Sequence, residues 1–397
     1  MSVAASQAPR ALPVLFGLSA AHLINDLIQS LLPSVYPLLK EKLALSFFEI
    51  GLITFIFQAT ASVLQPLVGI YTDKKPLPMS LVVGMACSLT GLLVLAQAHA
   101  FWVVLMAAAI IGIGSSIFHP EASRVARAAS GGAYGFAQSV FQVGGNAGQA
   151  VGPLVAALFI LPYGQGAIGW VSIVAVIGAV VLFNVGRWYQ GHLGTRVAAK
   201  ATLPPLAPGV VLTIALLLVL VFSKNFYMAG MQSFFGFVVM ERFGLDARAG
   251  QLYTFVFMLA AAFGVLAGGP LADRIGRRTV LWLSVIGALP FSLALPMATS
   301  LSLTVVASFI AAFLIALPSS AIIVEAQQAA PGRVGLIGGL FFGFAFGAGG
   351  LGAAVLGGLA DKTGLETIYL LMAFLPALGL AILFIPRRAA PSLPRSS

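Results

Sequence analysis

Charge is what this chain has least of. Only 8% of its 397 residues are Asp, Glu, Lys or Arg and 60% are apolar, against about 25% and about 45–50% in soluble globular proteins. So little charge cannot cover a water-facing surface, and a mean hydropathy of +1.03 spreads the apolar excess over the whole length. A soluble enzyme is excluded. Cysteine is nearly absent too: the single Cys87 lies in an apolar run, which leaves neither a disulfide framework nor a cysteine metal site. The four histidines show no metal-ligand spacing and no GxxxxGK[ST] loop is present, so no metal, no ATP and no other cofactor is expected. A formal charge of +10 would suggest nucleic acid in a soluble protein, but here the basic residues stand singly or in pairs between apolar runs. That is the pattern of membrane loops, and no nucleic-acid partner is expected.

What the chain does have is apolar runs of spanning length. A helix needs roughly 20 mostly apolar residues to cross a bilayer. Cutting at charged or Pro/Gly-rich junctions gives twelve such stretches, near 11–39, 47–71, 77–97, 101–124, 132–161, 166–188, 209–240, 249–272, 279–298, 302–326, 334–360 and 366–386. The first follows a short tail ending at Arg10 and is too long, with polar residues in its middle, for the apolar core of a signal peptide. The longest polar connection, 189–208, reads as a cytoplasmic linker between two six-helix halves, 1–188 and 209–397. Lys and Arg are retained on the cytoplasmic side. Arg10, Lys74, Lys75, Arg124, Arg127, Arg187, Arg274, Arg277 and Arg278 belong to the richer side, and only Lys40, Lys42, Arg242, Arg248 and Lys362 to the other. Both termini are therefore expected in the cytoplasm, with the chain a multi-pass protein of the plasma (inner) membrane and a monomer.

The sequence also resembles itself at a shift of about 200 residues. Ser115, Ser116, Glu121 and Ala122 match Ser319, Ser320, Glu325 and Ala326, GIYTDKK matches GPLADRIGRR, and Asn25 matches Asn225. Two parallel halves with a site between them at the midplane are a known plan for secondary transporters.

GGPLADRIGRR, at 268–278, resembles the loop signature of the major facilitator superfamily. HLINDLIQSLLPSVYPLL, GIGSSIFHPEASRVARAASGG, QSVFQVGGNAGQAVGPL, FSKNFYMAG and GLFFGFAFGAGGLGAAVLGGLAD resemble the fosmidomycin resistance group of that superfamily, over about Leu12 to Pro386. The resemblance implies an all-α membrane fold of twelve helices in two pseudo-symmetric halves. It also implies a proton-coupled antiporter exporting fosmidomycin, an anionic phosphonate antibiotic. Two departures stand out: the loop DKKPLP lacks the Gly-Arg part of the signature, and the fourth helix lacks a mid-membrane Arg.

An ionisable group at membrane depth costs roughly 2.5–3.5 kcal/mol and is a functional candidate by default. Asp26 lies near the middle of the first helix, with His22 one turn before and Gln29 about one turn after on one face, bordered by Asn25. A carboxylate in a low-dielectric cavity is a candidate to take up and release a proton, with His22 relaying it or bonding the carboxylate. The alternative is a fixed polar group bonded to a neighbouring Asn or Gln. Lys224 sits at equivalent depth in the seventh helix, as a partner of Asp26 or of an anionic substrate; a permanent Asp–Lys pair serving only folding is the other reading. Gln58, Gln138, Gln142, Asn146, Asn225, Tyr36, Tyr227, Phe141 and Phe257 are candidates to line the cavity.

Glu121 lies about 20 residues into the fourth helix, so at 1.5 Å per residue it is expected at the cytoplasmic surface. There it can meet Lys74 or Lys75, as Glu325 can meet Arg277 or Arg278. Asp73, Arg124, Asp273 and Arg274 complete a candidate cytoplasmic gate, for which plain topology-setting charges are the alternative. His119 precedes Pro120 and has no clear place beyond a polar corner. Glycines concentrate at 144–152 and 343–358, where small side chains let helix backbones approach in lipid. The leading reading is a proton-driven exporter of anionic phosphonates, with protons, the small anionic substrate and the bilayer as partners. A transporter of another metabolite or amphiphile, and a non-transporting membrane receptor of the same fold, are the alternatives.

Overall fold

The computed structural model describes residues 10–75, 77–192, 209–330 and 334–384, with the side chains of residues 73, 74, 134, 334–336, 338, 339 and 342 outside that description. From residue 193 on, the expected linker also lies outside the described residues. Every expected spanning stretch is helical, and no strand occurs among the described residues. The first half of the chain holds α1 (Leu12–Ser34), α2 (Tyr36–Leu43), α3 (Phe47–Lys74), α4 (Ser80–Ala96), α5 (Phe101–Ala129), α6 (Tyr134–Val155), α7 (Leu161–Tyr163) and α8 (Ile168–Gly191). The second holds α9 (Val210–Phe243), α10 (Ala247–Ile275), α11 (Arg277–Trp282), α12 (Ala288–Ala294), α13 (Leu301–Ala316), α14 (Ser319–Ala329), α15 (Val334–Thr363) and α16 (Leu365–Leu378). π turns at Ala156–Ile160 and Leu283–Gly287 carry α6 into α7 and α11 into α12. Among the described residues, ten helical segments, some joining two of these elements across a turn, are long and apolar enough to cross a membrane. The remaining two stretches fall outside that set: α4 has 17 residues, and α11–α12 begins with Arg277 and Arg278.

Helix is the necessary form here, since no water in a bilayer core satisfies free backbone N–H and C=O groups. The polar ends supply the punctuation. Ser46 starts α3 with a capping box, its hydroxyl accepting from Glu49 N at 3.1 Å while Glu49 Oε2 accepts from Ser46 N at 2.8 Å. Two hundred residues on, Asp246 starts α10 by accepting from Ala249 N at 2.8 Å. The residues before them, Ala44 (φ 51°) and Gly244 (φ 63°), end the preceding helices in the left-handed conformation. The same helix-end, helix-start turn thus occurs twice, 200 residues apart.

Burial separates central helices from peripheral ones. In α1, 72% of the spanning window is buried, against 33% in the segment containing α8, whose Ile173, Val176, Ile177, Val180 and Phe183 face outward. A row of glycines seats α6 on α1: a Cβ at Gly144, Gly148 or Gly152 would come within 1.9, 2.2 or 1.8 Å of Ser19 O, Leu23 O or Ser30 Oγ. Across the two parts of the chain α15 lies along α3, and α10 along α6. At the α3–α15 seam a Cβ on Gly51 would sit 2.2 Å from Ala353 O, and one on Gly357 2.1 Å from Phe47 O.

Candidate functional site

Between α1, α3, α6, α9, α14 and α15 lies a cavity of about 270 Å³, lined on its polar side by Gln29, Tyr36, Gln58, Gln149, Lys224, Asn225 and Ser319. One end is roofed by a hydrogen-bonded chain, Tyr36 Oη to Thr54 Oγ1 at 2.7 Å and Thr54 Oγ1 to Ser233 Oγ at 3.3 Å, which ties α2 and α3 to α9. Beyond it, the Asp361 carboxylate accepts the N–H groups of Phe47 and Phe48 at 2.7 and 2.8 Å, so α15 closes the first turn of α3. Acceptance of free helix-start N–H groups by a carboxylate is favoured by the helix dipole.

Asp26 is buried beside this cavity and saturated with donors. Its Oδ1 accepts from Asn25 Nδ2 at 3.1 Å and Gln29 Nε2 at 3.0 Å, and its Oδ2 from Gln149 Nε2 at 3.1 Å. Two imidazoles also face Oδ1, His22 Nε2 at 3.5 Å and His119 Nε2 at 3.6 Å. His22 is fixed by Phe141, whose carbonyl accepts from Nδ1 at 2.8 Å and whose ring stacks on the imidazole at 3.9 Å. His119 is fixed by its own helix, Nδ1 lying 3.0 Å from Ser115 O. Ser115 in turn donates to Gln29 Oε1 at 3.2 Å.

Spacing along the chain does not reveal what the fold does: ligand atoms of His22, Asp26 and His119 lie within 4.8 Å of one another, although 92 residues of chain lie between Asp26 and His119. These are ligand types of a divalent-metal site. The oxygen that both rings face already accepts two amide hydrogens, however, which uses both its lone pairs. A charge contact with a protonated imidazole needs no free lone pair and a metal bond does, so the donor set as it stands fits an imidazolium better than a metal.

Lys224 is turned to the opposite wall. Its Nζ donates to Ser319 Oγ at the start of α14, and Ser319 Oγ donates to Ala316 O at 2.6 Å. No ion pair joins it to Asp26 among the described residues: equivalent depth puts the two beside one cavity without putting them in contact. The sequence repeat reappears in the wiring, since Ser115 touches Gln29 of α1 while its counterpart Ser319 touches Lys224 of α9.

The other candidates divide. Tyr36, Gln29, Gln58 and Asn225 line the cavity, and Asn25 supports Asp26. Tyr227 is buried against Phe257, with ring centroids 6.4 Å apart, and borders a smaller pocket behind Lys224. Phe141 positions His22 instead of facing the cavity. On α6, Gln138 is exposed, and Gln142 and Asn146 lie off the cavity lining. One turn further on, Gln149 is the residue that reaches Asp26, and continuing the stripe 138, 142, 146 by one turn would have found it. Ser319 and Gln232 were likewise missed, and only Ser319 carried a signal, as the repeat partner of Ser115.

At the far end of the cavity helices, Glu121 is 1% exposed and binds Arg124 on its own helix, where a surface position was expected. Helix rise gives depth but not which face a residue buries. Arg277 Nε lies 3.5 Å from Glu325 Oε2, and Arg277 also donates to Gln328 Oε1 at 2.7 Å. Asp273, Arg274 and Arg278 are exposed, and the side chains of Asp73 and Lys74 lie outside the described residues.

The profile of the Major Facilitator Superfamily matches residues 18–255 and 220–397. The fosmidomycin resistance protein of Escherichia coli (strain K12) is 51% identical over 376 residues, 94% of this chain and 92% of that protein. An uncharacterized MFS-type transporter of Bacillus subtilis (strain 168), YfnC, is 38% identical over 380 residues, 94% of this chain and 93% of that one. The fold is shared with the nucleoside transporter NupG, at TM-score 0.72 and 13% identity over 94% of this chain and 98% of that one. It is shared too with a bacterial homolog of the human lysosomal transporter Spinster in an inward-facing, unoccupied conformation, at TM-score 0.69 and 16% identity over 95% of each chain. Ten membrane-length helical segments among the described residues, buried charge around a central cavity, and matches over almost the whole length place this chain in the Major Facilitator Superfamily as a multi-pass membrane transporter resembling the fosmidomycin resistance protein.

Proposed function

We propose that the protein is a proton-coupled exporter of fosmidomycin-like anionic phosphonates, an antiporter working by alternating access of its two six-helix halves, 1–188 and 209–397. One observation carries this reading: Gln29 and Gln149 both line the cavity that holds Lys224 and both donate to Asp26. A substrate anion in the cavity meets an ammonium and amide donors, and the proton-holding carboxylate is one side chain away. The name of the 51% identical relative supports the phosphonate as cargo.

With both termini in the cytoplasm, the α3–α15 seam at Phe47 and Asp361 closes the external end, and the conformer is the inward-facing one. Glu121 with Arg124 and Glu325 with Arg277 then stand at the cytoplasmic end. An exposed pair there contributes only about 0–1 kcal/mol, so the cytoplasmic latch works as a set. One chain encloses the whole cavity, which supports a monomer as the working unit. Equilibrium binding of fosmidomycin to the purified protein tests the substrate assignment: saturable binding that is lost in Lys224→Ala supports it, and absence of binding to the wild type refutes it.

A further inference from the structure

We propose that the proton is carried by a three-membered unit, His119–Asp26–His22, and that His119 is the port through which it exchanges with water; this rests on the proton-coupled reading above. The hydrogen positions follow from the acceptors. His22 Nδ1 lies 2.8 Å from Phe141 O and His119 Nδ1 lies 3.0 Å from Ser115 O. A carbonyl oxygen only accepts, so each Nδ1 carries a hydrogen and each Nε2 is left to face Asp26 Oδ1. If both rings were neutral, two nitrogen lone pairs would point at a carboxylate oxygen inside a cluster only 4.8 Å across. With water excluded, that arrangement is unfavourable. The unit therefore holds a proton, on an imidazole Nε2 or on the carboxyl.

The geometry also lets that proton move. At 3.5 and 3.6 Å the Nε2–Oδ1 contacts are longer than hydrogen bonds, so they are charge contacts, and charging either ring breaks no existing bond. Access distinguishes the two rings. The His119 side chain is 22% exposed, whereas those of His22 and Asp26 are 4% exposed. The ionisable groups acting on Asp26 are His22 on its own helix and His119 on α5. α6 presents the neutral Gln149, and α9 presents Lys224 across the cavity. In the step itself, hydronium gives a proton to His119 Nε2 and is left as water. That N–H bond then breaks as an O–H bond forms on Asp26 Oδ1, which releases the amide hydrogen bond from Asn25 or Gln29 to free a lone pair, and His119 returns to neutral.

Proteoliposomes with an internal pH dye test this on the full-length protein. His119→Gln is expected to bind fosmidomycin with wild-type affinity, to lower drug-dependent proton flux about tenfold or more, and to flatten the pH profile near neutrality, where an imidazole titrates. Wild-type flux with a wild-type pH profile in this variant would overturn the role of His119. No drug-dependent flux in the wild type would instead overturn the coupled reading itself, and this proposal with it. Should His119→Gln fail to fold, nitrogen-15 histidine NMR of the wild type decides, the chain having only four histidines. Reversible protonation of His119 Nε2 between about pH 5 and pH 8 is expected, and an Nε2 that never takes a proton there would refute the proposal.

Discussion

Gln149 donates its Nε2 to Asp26 Oδ2 at 3.1 Å while its side chain lines the cavity shared with Lys224. Gln29 does the same from α1, at 3.0 Å to Oδ1. These two amides each touch both the buried carboxylate and the cavity. A change of charge on Asp26 must therefore turn or release them, and an anion in the cavity must pull on them. Gln149→Leu keeps the bulk and removes a hydrogen bond to a charged group, worth about 1.5–3 kcal/mol. Drug-dependent proton flux is expected to fall about tenfold or more in liposomes containing this variant. Equal flux in wild type and variant would show that Gln149 does not couple the two sites.

Lys224 is the cation of the cavity lining. Removing one partner of a buried charge contact costs about 2–5 kcal/mol, so Lys224→Ala is expected to bind fosmidomycin at least about 30-fold more weakly at similar expression. Titration calorimetry on purified protein checks this, and unchanged affinity would remove Lys224 from the substrate site.

Asp361 ties α15 to the first turn of α3 through Phe47 N and Phe48 N. Loss of a helix-start acceptor typically costs about 0.5–2 kcal/mol, enough to shift a balanced two-state equilibrium about twofold to thirtyfold. Asp361→Ala is expected to populate the conformer open at this end. Spin labels at Glu41 and Lys362, both exposed, in a background with the single Cys87 replaced by Ser, would report a longer distance. An unchanged distance distribution would mean that this contact does not hold the seam shut.

Two glycines with the same steric situation are expected to fail differently. A Cβ at Gly148 would lie 2.2 Å from Leu23 O, between α6 and α1, and one at Gly51 2.2 Å from Ala353 O, between α3 and α15. The first contact lies inside one half of the chain, so Gly148→Val is expected to lower the folded yield, at the cost of about 1–3 kcal/mol typical of overpacking. The second lies in the seam that alternating access requires to open, so on the proposed mechanism Gly51→Val is expected to fold and to show the lengthened Glu41–Lys362 distance. Equal loss of folded protein in both variants would contradict a mobile seam.

The spanning helices were legible because lipid demands long apolar runs, and among the described residues α4 and α11–α12 alone fall outside the ten membrane-length segments. Asp26, His22 and Lys224 stood out because ionisable groups in such runs are rare. Their partners were not legible. His119 reaches Asp26 because α5 packs against α1, and Gln149 sits in a glycine-rich run whose packing role hid its amide. Equal depth suggested a bond between Asp26 and Lys224, yet depth fixes one coordinate of three, and the remaining two send Lys224 to Ser319. For Glu121 the depth named no partner, and the residue it binds is Arg124 on its own helix.

The most direct measurement is proton movement on addition of fosmidomycin to proteoliposomes under an imposed pH gradient, for the wild type and Asp26→Asn side by side. The account predicts drug-dependent flux in the wild type and none in Asp26→Asn, with that variant folded and correctly inserted. Full drug-dependent flux through Asp26→Asn would contradict it.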